Sequence, residues 1–204
     1  MNERLRFYRT SFIVGGLLAL PMAGTAQGYQ GYANQMQRTL GTVVRAVQVE
    51  TRASDAHIQT ILERLQANLQ TETRANVDGE YRLLLGVYTD ARDRLGVQAD
   101  RMDAIVPPEQ LTAVHTRLAR AVREYAGYTG SLAELIGSSL CSDDGEGDWS
   151  CTTSDRPNGG MELLLGYIAM QEMTFATLRR THEQLRTRLA EQLVTVPQLE
   201  ASGS

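Results

Sequence analysis

The chain has 204 residues, of which 42% are hydrophobic and 22% charged, and its formal net charge is −4. A negative surface repels phosphate backbones and anionic lipids, so the composition argues against nucleic acid or an anionic membrane surface as the partner. The length suits a single domain with a substantial core, preceded by a short targeting segment.

The first 26 residues have the three-part layout of a secretory signal peptide. Three arginines fall among the first nine residues, residues 11–20 form an uncharged and mostly apolar run, and Pro21 follows. Residues 24–26 are small, as signal peptidase requires, which predicts cleavage before Gln27. The alternative, a membrane anchor, needs about 20 apolar residues, and this run is much shorter.

Cleavage at this point would change the charge of the chain. The segment removes three of the twenty basic residues and one of the 24 acidic ones, which leaves a mature net charge of −6. We therefore predict an exported protein, periplasmic or extracellular, with no membrane span after cleavage and no nucleic-acid partner.

The mature chain carries apolar residues at helical spacing in four segments, which predicts an all-α fold: an antiparallel bundle of about four helices. The first stripe consists of Met36, Leu40, Val43, Val47, Ser54, Ile58, Ile61, Leu65 and Leu69. Comparable stripes cover residues 81–105, 111–136 and 164–193. No stretch alternates with a period of two, so we predict no sheet.

Turn residues separate these segments. Residues 76–79 (NVDG) suit a turn between the first two helices, and residues 106–109 (VPPE) end the second helix and begin the third. A long connection over residues 138–160 precedes the fourth helix. The first helix would be far longer than the second, so we expect it to break or bend near Ser54. The bundle domain is predicted over residues 27–196, with a disordered tail over 197–204.

The start of the third helix contains a double proline followed by a histidine. Residues 107–118 follow the pattern PPxxLxxxHxxL, with Pro107, Pro108 and His115 at its fixed positions. This segment resembles one in uncharacterised exported bacterial helical-domain proteins, a family without a known function. By position, His115 can also reach back to the last carbonyls of the second helix, which would give it a structural role.

Cys141 and Cys151 are the only cysteines, and they lie ten positions apart in a polar segment. In an exported protein such a pair predicts a disulfide. On the chain-entropy model, closing a loop of this length stabilises a fold by roughly 2–3 kcal/mol.

The segment enclosed by these cysteines is strongly acidic. As a calcium loop it would use Asp144, Glu146, Asp148 and Asp155, but Trp149 stands where an EF-hand requires glycine. A solvated acidic loop is the simpler interpretation, and Ca²⁺ is the one cofactor the sequence leaves open there. Trp149 itself would either cover the disulfide or provide an exposed contact.

Catalytic patterns are absent from the sequence. The three histidines, His57, His115 and His182, fall on different predicted helices without a metal-binding partner in register. A haem ligated by a distant pair such as Met36 and His182 is the alternative for a cofactor carrier. No nucleophile–histidine motif or phosphate-binding loop is present, so we predict a non-enzymatic protein.

The first functional hypothesis is a bundle that binds a protein or envelope component through a helix face or through the acidic loop. The alternative is an extracytoplasmic Ca²⁺ or haem carrier. A periplasmic chaperone is the third, because Met161, Met170 and Met173 near the start of the fourth helix suit adaptable binding. The sequence leaves the partner and the oligomeric state open.

Overall fold

The computed structural model describes residues 26–71, 77–143, 149–151 and 157–201. Four α-helices account for most of them: α1 (Ala26–Thr71), α2 (Asp78–Asp103), α3 (Thr112–Glu134) and α4 (Pro157–Ala201). Helix α1 packs against α2, α2 against α3 and α3 against α4, and α1 also meets α4. The predicted all-α bundle of four helices is confirmed.

The helix ends follow from local chemistry. Asp78 and Glu80 stand in the first turn of α2, where carboxylates interact favourably with the helix dipole. After α2 ends, the double proline leads into a short 3₁₀ turn, Glu109–Leu111, from which α3 continues. A π-helical turn, Leu135–Leu140, follows α3 and leads to the disulfide. The predicted boundary at the double proline is therefore confirmed.

Helix α1 is continuous through Ser54, so of the expected break or bend, the break is wrong. Ser54 does not cap a new helix. Its hydroxyl donates a hydrogen bond to the Thr51 carbonyl 3.1 Å away, inside the preceding turn, and its side chain is buried. Helix α4 has 45 residues and α1 has 46, so the long first helix packs with a helix of nearly the same length.

A two-stranded antiparallel ribbon follows the π-helical turn, so the prediction of no sheet is wrong. Strand β1 (Cys141–Asp143) pairs with β2 (Trp149–Cys151), and the two cysteines are directly opposite each other. The predicted disulfide joins them. Strands of three residues are too short to show an alternating pattern, and the disulfide stabilises the pairing that the sequence pattern cannot reveal.

The core is divided into two apolar clusters along the bundle axis. The first lies toward the start of α1 and contains Met36, Leu95, Leu118 and Leu185 among others. The second lies near the ribbon and contains Ile61, Leu84, Ile136 and Leu164 together with both cysteines. The predicted stripe residues of α1 from Met36 to Leu65 are buried, while Leu69 lies outside the described side chains.

Gly86, Gly127 and Gly166 lie inside helices, where a glycine can let a neighbouring helix approach closely. A Cβ atom added to any of the three would meet no neighbouring helix within 4 Å, so none of them marks a close approach inside the bundle. Each glycine lies at an exposed position. Their cost in helix propensity, about 1 kcal/mol each, is therefore not offset by helix packing inside the bundle.

The structure describes only parts of the two predicted terminal segments. Helix α4 continues to Ala201, past the predicted start of the tail at residue 197, and residues 202–204 are outside the described part. The predicted signal peptide also lies outside it, except for Ala26. Among the described residues, none of the helices is long and apolar enough to cross a membrane.

Candidate functional site

A layer of buried polar side chains separates the two apolar clusters. Glu50 and Ser54 contribute from α1, Thr129 from α3 and Gln171 from α4, and each is at most 1% exposed. The hydrogen-bond distances among them show that they lie at the same height in the bundle. Each polar group therefore has to find its partners within the protein.

Glu50 is the centre of this network. The Tyr125 hydroxyl donates a hydrogen bond to Glu50 Oε2 over 2.8 Å, and Gln171 Nε2 donates to Glu50 Oε1 over 3.3 Å. The Ser54 hydroxyl lies 3.4 Å from Glu50 Oε1. Gln171 Nε2 also lies 3.2 Å from the Thr129 hydroxyl. A single carboxyl group thus links α1, α3 and α4.

One acceptor in this layer has no hydrogen-bond partner in the described part of the chain. Gln171 Oε1 is buried, and the amide already directs its nitrogen toward Glu50 and Thr129. An unsatisfied buried acceptor costs roughly 1–3 kcal/mol. The layer therefore stabilises the fold less than a fully satisfied polar network would.

The sequence interpretation missed this layer, although a signal was present. In three helices a polar residue occupies a position of the buried stripe: Glu50 between Val47 and Ser54, Thr129 after Tyr125, and Gln171 after Ile168. Each one alone is an ordinary interruption of an apolar pattern. They form a layer only because the register between the helices places them at one height. That register cannot be read from the apolar pattern of a single helix.

His115 makes the structural contact that its position suggested. Its Nε2 donates a hydrogen bond to the Met102 carbonyl at the end of α2 over 3.0 Å, so its Nδ1 accepts from the Tyr32 hydroxyl, also at 3.0 Å. Burial lowers the pKa of His115, while the bond to Met102 and the charge of Asp103 act in the opposite direction. Burial also raises the pKa of Tyr32, which stays a donor.

The other two histidines are not near this pair. His57 Nδ1 on α1 lies 2.8 Å from Glu80 Oε2 on α2, and Arg64 forms an ion pair with the same carboxylate at 3.0 Å. His182 lies on α4, partly buried, and burial lowers its pKa. Met36, named beside it as a haem ligand, is buried in the first apolar cluster.

Trp149 contacts the protein itself. Its indole Nε1–H donates to the Asp78 carbonyl over 3.1 Å, and the Arg82 guanidinium lies 5.4 Å from the centre of its ring. Asp78 also accepts, through Oδ1, a hydrogen bond of 3.0 Å from the Cys151 amide. Trp149 packs against the cluster that contains both cysteines, which agrees with the first of the two predicted roles.

The predicted calcium ligands, Asp144, Glu146, Asp148 and Asp155, all lie outside the described residues. Within the described ranges, no group of three His, Cys, Asp or Glu side chains is placed to hold a metal ion.

Pro107 and Pro108 form the half-buried connection from α2 to α3.

The outer face of α4 carries exposed apolar side chains in one stripe. Leu163 is 46% exposed, Met170 40% and Met173 64%. Their spacings of seven and three place them on one side of a helix, together with exposed Gly166 and Thr177. We call these five residues the outer stripe of α4. It spans about 21 Å and contains no charged residue.

Comparison with protein-family models, with curated proteins and with solved structures finds no match to this chain. The resemblance of residues 107–118 to exported helical-domain proteins therefore stays a prediction. Functional interpretation depends on the features of the fold itself.

Proposed function

We propose that the chain is a non-enzymatic exported helical bundle that binds a protein or envelope component, and that it does so through the outer stripe of α4. The observation that supports this is the exposure of Leu163, Met170 and Met173 on one uncharged side of a helix.

The outer stripe is not an unfinished part of the core. Leu164, Ile168 and Leu178 of α4 are buried on the opposite side of the helix, where α3 packs. Single exposed apolar residues are normal on a protein surface, but an aligned group of them is typical of an interaction site. Methionine side chains are flexible and polarisable, so Met170 and Met173 can adapt to a partner surface.

Export is the second part of the proposal. It is supported by the signal-peptide layout of residues 1–26 and by the disulfide between Cys141 and Cys151, a bond that persists in oxidising compartments. In such a compartment an acidic bundle with an apolar stripe would meet envelope proteins directly.

Photo-crosslinking tests the stripe. A benzophenone amino acid is placed at position 163, 170 or 173 in cells of the source organism, with position 83 as the matched control. Leu83 is a similarly exposed apolar residue on α2, 55% exposed. We expect adducts of one common mass from the three α4 positions and none from position 83.

A charge in the stripe provides the second arm. Met173→Glu should remove the adduct that forms from position 163 while leaving the melting temperature unchanged, because residue 173 is largely exposed. Adducts from position 83 equal to those from α4, or adducts that Met173→Glu leaves intact, would show that this face is not the binding site.

A further inference from the structure

Two residues of opposite charge lie beside the outer stripe on the same edge. Glu162 precedes the stripe and Arg180 follows it, and both are exposed. They are eighteen positions apart, which is five full helical turns, so they point in the same direction. Within the described part of the chain neither makes a hydrogen bond or ion pair.

Glu162 and Arg180 cannot pair within one molecule, because a rise of 1.5 Å per residue separates them by about 27 Å. Two copies of α4 packed antiparallel would bring them together. In a twofold antiparallel helix pair, each edge of one helix faces the same edge of the other. Glu162 of each protomer then lies beside Arg180 of its partner, and the pairing occurs twice.

The same register gives the apolar residues suitable neighbours. The twofold axis falls at the height of Gln171, so Met170 and Met173 of both copies meet in the middle and Ala169 lies beside the partner's Met173. Gly166 also faces the partner. A Cβ there would meet nothing within the chain, and its absence lets a second helix approach closely.

From this arrangement we propose that the outer stripe of α4 is covered by a second copy of the chain, in an antiparallel α4–α4 pair held by two Glu162–Arg180 ion pairs. The inference rests on the proposed function of the stripe as a binding surface, and it names the partner. A stripe about 21 Å long on a helix about 10 Å wide covers far less than the roughly 800 Å² per partner of a standard stable interface. The pair should therefore be weak and reversible.

Sedimentation equilibrium over a range of protein concentrations tests this pairing. The oxidised protein is purified from the export fraction after expression with residues 1–26 in place. Glu162→Arg and Arg180→Glu should each weaken dimerisation roughly three- to ten-fold, because each reversal turns both symmetric ion pairs into like-charge contacts. The double variant E162R/R180E should return to within about two-fold of the wild type, since both pairs are restored with reversed sign.

Mixing offers the same test without a double variant. An equimolar mixture of E162R and R180E places every arginine opposite a glutamate, so heterodimers should form more readily than either homodimer. Arg179→Glu is the matched control. It makes the same change in charge one residue away, but on a different side of the helix, and should leave the dimer unchanged. Melting temperatures of all variants verify that the monomer is intact.

A protein that stays monomeric at every concentration would overturn the inference, as would a double variant or a mixture that fails to recover. The two proposals fail separately. If self-association is absent but position 173 still crosslinks to a different protein, the antiparallel pair is wrong and the binding role of the stripe stands. If both are absent, the proposed function is wrong as well.

Discussion

Burial of His115 between the Tyr32 hydroxyl and the Met102 carbonyl links the stability of the bundle to pH. The folded protein holds His115 neutral, with a lowered pKa. Above the unfolded value of about 6.5 the stabilisation is complete. As the pH falls below it, the unfolded chain binds the proton first, and stability is lost down to the lowered pKa of the folded state.

We therefore expect the melting temperature to fall as the pH drops below about 6.5, and His115→Gln to remove part of this dependence. The variant should also be less stable at pH 7 by about 1–3 kcal/mol, because its partners lose hydrogen bonds. His182 acts in the same direction, since burial lowers its pKa too. Comparison with His182→Gln separates the two. A His115→Gln profile with the slope of the wild type would contradict the prediction.

The hydrogen bond from Tyr125 to Glu50 is the strongest candidate for energetic coupling in the polar layer. Tyr125→Phe should reduce the free energy of unfolding by about 1–3 kcal/mol, because the buried Glu50 Oε2 loses this donor. In the Glu50→Gln background, Tyr125→Phe should reduce the free energy of unfolding by less. Denaturant titration of the wild type, the two single variants and the double variant measures the difference. Tyr128→Phe on the same helix serves as the control. Equal costs in both backgrounds would exclude coupling.

At the scale of elements, the disulfide ribbon is held on α2 by Asp78. Its Oδ1 accepts the Cys151 amide, and its carbonyl accepts the Trp149 indole. Asp78→Ala removes the side-chain acceptor and should destabilise the fold by about 0.5–1.5 kcal/mol. Trp149 is the sole tryptophan, so its emission should also shift to longer wavelength as the ribbon loosens.

Asp78→Asn is the matched variant for this test, because an amide oxygen can still accept the Cys151 amide. It should keep the emission maximum of the wild type. An Asp78→Ala protein with unchanged emission would mean that the disulfide and the indole contact alone hold the ribbon.

Individual elements differ in how far the sequence predicts them. The four long stripes predict their helices because burial of an apolar face determines where those helices lie. Ser54 was misjudged because a serine can cap a helix or bond within the preceding turn, and only tertiary burial decides between them. The ribbon was missed because contacts between residues distant in the sequence position its strands: the disulfide and the hydrogen bond from the Cys151 amide to Asp78.

At the scale of the whole molecule, the candidate sites were predicted less completely than the fold. The sequence identified Met170 and Met173 as suitable for binding, but it did not show that both lie on the exposed side of α4. The polar layer around Glu50 was missed because it forms only when three helices are in register. Fold class depends on periodicity within each helix, whereas the polar layer depends on alignment between helices.

The proposal of export predicts the mass of the whole mature chain. If residues 1–26 are a signal peptide, the exported protein begins at Gln27 and carries the Cys141–Cys151 disulfide. Intact mass spectrometry should then find a product lacking these 26 residues and lighter by the two hydrogens lost on oxidation. Ala26→Arg places a large charged side chain where the peptidase needs a small one, and should leave an uncut precursor. Ser54→Arg, a change far from the cleavage site, would alter folding but not processing. A reduced, full-length wild-type chain in the cytoplasm would contradict export.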